Sequence, residues 1–584
     1  TGLVNNTGVI DASGISTDGG VVRLVGNGGN VESSGSINVS GVHGGSAQLL
    51  SNANVGVTGR IDASGEQGGG TIRVGGGYQG GEGLTTANVT YLGPDAVLDA
   101  DATGSGNGGS VVLWGNQGNN FLGSITARGG ALGGNGGLVE TSSHYGLNAQ
   151  GSVDASSPSG RAGTWLIDPY NITIQTGAGT LSSPFTASAD STIKASDLNT
   201  ALNGTNVTVF TGTSGTSNGD IIVNAAIKPS SGDNVLYLKA AGGIYVNADI
   251  SAADASHKLD LYLWSNYGGS AAATSYASNA ACAALVSCVV TVGNTANAAI
   301  ATNGGLVDVE TGVGGGAFTL GVGSKTGSIN TGAGALTVHA TGISEATGSN
   351  TIAAGAATLD AGAGAIALGN AGNNFSGAVG LSNSGANDVV LNNGTHALNL
   401  AASTLGSGAL TVSATGVSQS GAITQAASAA GATFNAGAGA ISLGNPGNDF
   451  TGSVGLNNSG ANAVTLNNGA HALDLAASAL GSGALTVSAA GITQSGTITQ
   501  AASAGAATFN AGTNAIALTD AGNAFTGAVS LAGSNVGLVN GTATVLGTTT
   551  ATGTLDVSSN GALSQSGALT VTGAATFTQN STTA

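Results

Sequence analysis

IDASG at residues 10–14, followed by GGVVRL at residues 19–24, is the first instance of a phrase whose recurrence decides the fold. An apolar anchor enters a small polar turn, and a double glycine then opens a β-rich run. The phrase returns as INVSG (37–41) with GGSAQL (44–49) and as IDASG (61–65) with GGTIRV (69–74). It returns again as LDADA (98–102) with GGSVVLW (108–114), ITARG (125–129) with GGLVET (136–141), and VDASS (153–157) with AGTWLI (162–167). The anchors are 27, 24, 37, 27 and 28 residues apart. Strands of about five residues, separated by Gly, Ser, Asn and Asp turns at this period, predict a solenoid whose coils cannot bury a face alone. Within GGVVRL and GGTIRV, alternation sets Val22, Leu24, Ile72 and Val74 toward a dry interior. The paired glycines are expected at tight corners, supplying positive φ and close backbone approach.

Composition supports one extended all-β body over several globules. Glycine makes up 105 of 584 residues, charged residues 7%, aromatics 4% and apolar residues 41%. Disordered chains have the opposite bias, poor in aliphatics and rich in charge. Gly, Asn, Thr, Ser and Val rank low in helix propensity, and no long 3.6-residue period appears. No apolar run reaches the roughly 18 residues of a membrane-spanning helix. A net charge of −18 with only ten Lys plus Arg argues against nucleic acid as a partner. Lys325 is the last basic residue.

The regular coils occupy residues 1–165. Residues 166–295 interrupt them with longer alternating strands such as NVTVF (206–210) and VLYLKA (235–240), and loops there are where a specific binding surface is expected. Residues 296–350 form a transition, and 351–584 repeat with a period of 75. Leu359, Phe434 and Phe509 are equivalent, as are Phe375, Phe450 and Phe525, and Leu485 repeats Leu410. Three strands per coil predict three coils of about 25 residues per repeat, or four shorter ones. About 25 residues per coil and a spacing of about 4.8 Å predict a rod on the order of 110 Å. The chain starts at Thr1 and shows no signal peptide, which reads as a mature product or an internal fragment.

No constellation for catalysis stands out. Asp11, Asp62, Asp99 and Asp154 recur at one position of the phrase and read as turn-capping residues, since glycosidases need two carboxyls converging on one bond. His396 and His471 are repeat copies, expected to have no acid or nucleophile beside them, and read as solvent-facing strand or turn residues. Cys282 and Cys288 in CAALVSC read as a small disulfide loop in preference to two buried thiols, and no His lies at metal-ligand spacing from them. No catalytic, cofactor-binding or metal-binding residue is assigned, and the chain is expected not to be an enzyme.

VETSSHYGL (139–147) and GTWLIDPYNITI (163–174), together with the coils before them and STIKASDLNTALNGTNVTVFT (191–211), GDIIVNAAI (219–227) and GGIYVNADI (242–250), resemble the filamentous haemagglutinin family of large exoproteins. The resemblance covers roughly residues 1–265; beyond 350 it rests on composition and repeat style. It implies a right-handed parallel β-helix secreted by the two-partner route through an outer-membrane transporter, to the surface of a Gram-negative bacterium. It also implies adhesion to host cells, other bacteria or biofilm, with glycan or protein receptors as partners; separately, the weakly charged, strand-rich flank of the chain favours side-by-side association of rods. The family's secretion domain, with its N-P-N-G signature, is missing; Asn445-Pro446-Gly447 belongs to a repeat turn. The alternatives are a haem- or haemopexin-binding exoprotein of the same architecture, the stem of a contact-dependent toxin and, ranking lower, a polysaccharide-degrading β-helix enzyme.

Overall fold

The structure, a computed structural model, describes residues 2–177, 179, 183–188, 190–212, 218–279, 288–312 and 315–580. The chain divides into two compact units, Thr1–Ala335 and Leu336–Ala584. Each is an all-β parallel β-helix, as the repeats predict. No helix is long and apolar enough to cross a membrane among the described residues.

In the first unit the second strand of each phrase stacks on its copies in register. Val22, Ala47, Ile72, Val111, Val139, Trp165, Val207, Leu236 and Leu261 form one inward-pointing column. All but Val22 are fully buried. The apolar anchors Ile10, Ile37, Ile61, Leu98, Ile125 and Val153 stack in the same way and build a separate six-stranded wall. The acid one residue after the anchor caps its own turn. Asp11, Asp62 and Asp154 accept the backbone N–H two residues on, from Ser13, Ser64 and Ser156, at 3.0, 3.0 and 2.9 Å. That is the Asx geometry expected of a short acid entering a turn.

The glycine doublets show the expected close backbone approach but not the expected positive φ. None of Gly19, Gly44, Gly69, Gly108 and Gly136 has a positive φ. What excludes a side chain is crowding by backbone: a Cβ on each would collide with the carbonyl of Val39, Ala63, Ala100, Ala127 or Ala155 respectively. The second glycines stack directly on one another, so that a Cβ on Gly45, Gly70 or Gly109 would strike the Gly20, Gly45 or Gly70 carbonyl. The doublet is therefore a close-packing device between coils.

Three coils of this unit carry insertions. The interior column advances 25 residues from Val22 to Ala47, but 39 from Ile72 to Val111, 42 from Trp165 to Val207 and 46 from Leu261 to Val307. The second insertion returns out of sequence order. Strand Thr192–Lys194 slots between Gly146–Ala149 and Ile172–Gln175, and helix Ala195–Ala201 then packs against strand Ser152–Asp154, the last of the six-stranded wall.

In the second unit the 75-residue repeat is not a whole number of coils. Leu410, Ala432, Val454 and Leu475 form one ladder, while Leu485, the repeat copy of Leu410, stands in the other, with Val417, Ile441 and Val464. The chain passes from ladder to ladder through Leu410, Val417, Ala432, Ile441, Val454, Val464 and Leu475 to Leu485. Those seven passages make three and a half coils, so neither three nor four coils per repeat is found. Coils here advance 21 to 24 residues; their corners keep Asx turns, with Asn392 and Asn467 accepting the N–H of Gly394 and Gly469 at 2.9 Å, but lack the glycine doublet of the first unit. Successive copies thus face opposite sides of the unit. At one corner of each copy a side chain serves the backbone: Asn393, Asn468 and Asn540 Oδ1 accept the N–H of Phe375, Phe450 and Phe525 at 2.7, 2.7 and 2.9 Å. Those buried amides answer the requirement that interior N–H groups be paired.

Candidate functional site

Alternation in the strands of the first unit leaves every second residue outside, and on one wall those residues form a second core. Strands Thr164–Asp168, Asn206–Phe210, Asn234–Lys239 and Leu259–Trp264 are neighbours there. They point Leu166, Phe210, Tyr237, Tyr262 and Trp264 outward. Left bare, so much aromatic surface would be costly in water. Two of the insertions cover it. Tyr267 and Ala271 complete a buried cluster with Leu166, Phe210 and Trp264, and Tyr78 and Tyr276 pack against its rim. Tyr276 donates its hydroxyl to the Ser265 carbonyl at 2.9 Å.

Lys239 sits inside this cluster, 1% exposed. Its Nζ donates to the carbonyls of Ala271 at 2.7 Å and Ala273 at 2.6 Å. It lies 4.5, 5.3 and 5.6 Å from the ring centres of Tyr237, Trp264 and Tyr267. Burial pulls its pKa down to about 8, while the ring faces favour the cation. Lys239 therefore fixes the covering loop by its backbone. Beside it, Tyr237 and Tyr262 stack at 4.3 Å, and Trp264 Nε1 donates to Asp308 Oδ2 at 2.9 Å. Tyr237, Tyr262, Asp260 and Asp308 stay half-buried, an aromatic strip edged by carboxylates.

Farther along the same wall, the first insertion crosses Trp114. Gly80 has φ +69°, and a Cβ on it would stand 2.7 Å from the indole, so glycine is required twice over. Here the structure brings together two acids that are distant in sequence. The Gln79 backbone N–H donates to the Glu140 carboxyl at 3.0 Å, and Gln79 Nε2 donates to Asp168 Oδ2 at 3.1 Å. Burial pushes Glu140 up to about 8, opposed in part by the Gln79 bond, and pushes Asp168 up to about 7. Arg73, the nearest guanidinium, is bound to Glu82 at 2.8 and 3.0 Å. Single-sequence reading passed over Glu140, which sits within VETSSHYGL as an ordinary strand residue. The signal available was a lone acid at an outward position one coil away from a second, Asp168.

Among the residues singled out from sequence, Cys288 is disulfide-bonded, and Cys282 lies outside the described residues. The four turn aspartates are spread along one wall, where Asp62 and Asp99, register partners, share the Arg60 guanidinium at 3.1 and 2.7 Å. His471 does have an acid beside it: its Nδ1 lies 3.3 Å from Asp449 Oδ1. The position equivalent to Asp449 in the preceding copy is Asn374, so His396 has no such partner. Among the described residues, no three His, Cys, Asp or Glu side chains converge as a metal-binding group.

A wall of stacked parallel coils with a loop-covered outer cluster defines a β-solenoid repeat protein. Residues 315–382, 386–457, 461–532 and 533–583 match a family described as "Repeats of unknown function (DUF5649)". The second and third of these stretches begin 75 residues apart, the period read from the sequence, and the first begins within the segment 296–350. No curated protein matches the chain.

Proposed function

We propose that this protein is a secreted, surface-displayed adhesive exoprotein of the filamentous haemagglutinin type, in which a β-helical scaffold presents the outer strip of the first unit to a glycan or protein receptor. The observation that carries this reading is the half-buried row of Tyr237, Tyr262, Asp260 and Asp308 beside Trp264. Tyrosine rings and carboxylates held on a rigid wall offer contact area and hydrogen-bond acceptors at little entropic cost. Export through an outer-membrane transporter and lateral association of shafts belong to the same reading. The paired carboxyls Glu140 and Asp168 favour a second reading, polysaccharide cleavage, because an acid near pKa 7 to 8 can stay protonated at neutral pH. Gln79 covers both, and the adhesive reading ranks first.

The test is a glycan and matrix-protein array probed with the full chain, alongside an assay for polysaccharide cleavage. Saturable binding that falls at least tenfold in Tyr262→Ala supports the adhesive reading. Binding indifferent to Tyr262→Ala and Tyr237→Ala removes the strip from it. Cleavage abolished by Glu140→Gln or Asp168→Asn replaces it with the enzymatic reading.

A further inference from the structure

Three oxygen-bearing side chains meet under the first insertion of the first unit. Ser142 and Asp168 are register partners on adjacent strands, and Glu140 lies two residues before Ser142 on the same outward row. Glu140 and Ser142 are both fully buried. Ser142 Oγ finds no partner in hydrogen-bond geometry, although it lies close enough to Glu140 to favour the charged carboxylate. A buried hydroxyl with no partner is rare in a native fold and calls for a missing neighbour. The two carboxyls also lack a cation of their own. The groups facing them are Tyr78 from the covering loop and Arg73 from the neighbouring coil, with Arg73 already engaged by Glu82. Strand Asn206–Phe210, on the far side, carries no titratable residue. Gln79, at φ +51°, places its side-chain amide against Asp168, and half a turn of that amide exchanges its nitrogen for its oxygen.

We infer that Glu140, Ser142, Asp168 and the side-chain oxygen of Gln79 bind a hard divalent cation of the calcium type, which pins residues 75–86 to the wall. The donor set is all oxygen, as such ions require, and it has two carboxylates with the remaining positions left to neutral oxygens and water. So few charges place the affinity at roughly 10⁻⁴ to 10⁻³ M, the range of extracellular calcium modules. Asp168 is only half-buried and provides the way in. Nothing in this inference depends on the adhesive reading, since the cation acts on the loop and not on a receptor.

The experiment uses the full chain stripped with chelator. Terbium(III) is titrated with excitation of the indoles, because Trp114 is the register partner of Ser142 and lies within range to sensitise the bound ion. A saturable luminescence signal, competed away by Ca²⁺ in the millimolar range, is expected. The signal falls at least tenfold in the double variant Glu140→Gln, Asp168→Asn, whose amides mimic the protonated acids and preserve the Gln79 contacts. Ser142→Ala, which leaves both carboxyls in place, weakens binding several-fold. Calcium at ten times its Kd also shifts the unfolding equilibrium of wild type about tenfold toward the native state, and that of the double variant not at all. Absence of a saturable signal overturns the inference, as does an equal signal in wild type and the double variant. Should the double variant not fold, an unchanged signal in Ser142→Ala overturns it.

Discussion

The two units solve the same packing problem with opposite economies. In the first, no two coils are alike, three carry long insertions, and all ten basic residues of the chain are found there. In the second, coils are near-copies without insertions, and their polar work is done by buried asparagines at corners. A solenoid allows both because each coil answers only to its neighbours. Insertions diversify a wall without disturbing the coils beyond it, as the covered aromatic cluster shows. Duplication multiplies one solution, and at three and a half coils per copy it places equivalent residues on alternating sides.

The sharpest way to separate the units is proteolysis at Lys and Arg. Unfolded chain digested to completion should be cut throughout residues 1–325 and yield 326–584 as one intact piece, since no basic residue follows Lys325. Mass spectrometry of the digest checks this, and fragmentation within that stretch would show that the chain is not what its composition says.

Core truncation should produce large and local losses in both units. Trp165 and Phe434 are each fully buried, and Phe434 meets Phe450 edge-on at 5.8 Å. Trp165→Ala or Phe434→Ala is expected to cost about 3–5 kcal/mol. Hydrogen exchange should show the loss confined to a few coils around each site. A single cooperative loss across both units would break the nearest-neighbour picture.

A smaller effect distinguishes the units by pH. Lys239 is held below its ordinary pKa by burial, at about 8, among Tyr237, Tyr267, Tyr276 and Trp264 and near Asp308 and Glu310. Between pH 8 and about 10 the unfolded chain keeps a proton that the folded form has released, so stability of the first unit should rise with pH across that interval. Below pH 8 that contribution is absent. Above pH 10 the tyrosines of the cluster, whose pKa values burial raises, pull the other way. The second unit contains no lysine and should lack the rise. Chemical denaturation at pH 8 and 9.5 reads the difference, and Lys239→Met should erase it.

What was legible in the sequence follows from what a repeat encodes. The anchors Ile10 to Val153 recur because each meets its own copy, and they stack as their spacing implies. The turn aspartates were legible for the same reason. The outer cluster was half legible: the longer alternating strands at 206–210 and 235–240 marked the place. The partner loop at 75–86 did not, because what joins Tyr78 to Leu166 is an insertion folding over the wall, and no local pattern records where a loop lands. The pairing of Glu140 with Asp168 was hidden likewise. The half-integral repeat was hidden because strand spacing alone does not count the corners in a coil, and corner length depends on whether backbone or a side chain fills it.

The smallest predicted effect tests whether copying a residue copies its role. His471 and Asp449 are both partly exposed and lie 3.3 Å apart, whereas the copy that holds His396 has Asn374 at the position equivalent to Asp449. Exposed ion pairs contribute at most about 1 kcal/mol, because solvent screens them and two side chains must be held in place. His471→Ala should therefore destabilise the second unit by less than about 1 kcal/mol, and His396→Ala by nothing measurable. The difference should vanish in high salt. Equal losses at both positions would mean that the histidines act through a contact shared by the copies. In that case the alternation of sides imposed by half-turns would have no energetic signature at this surface.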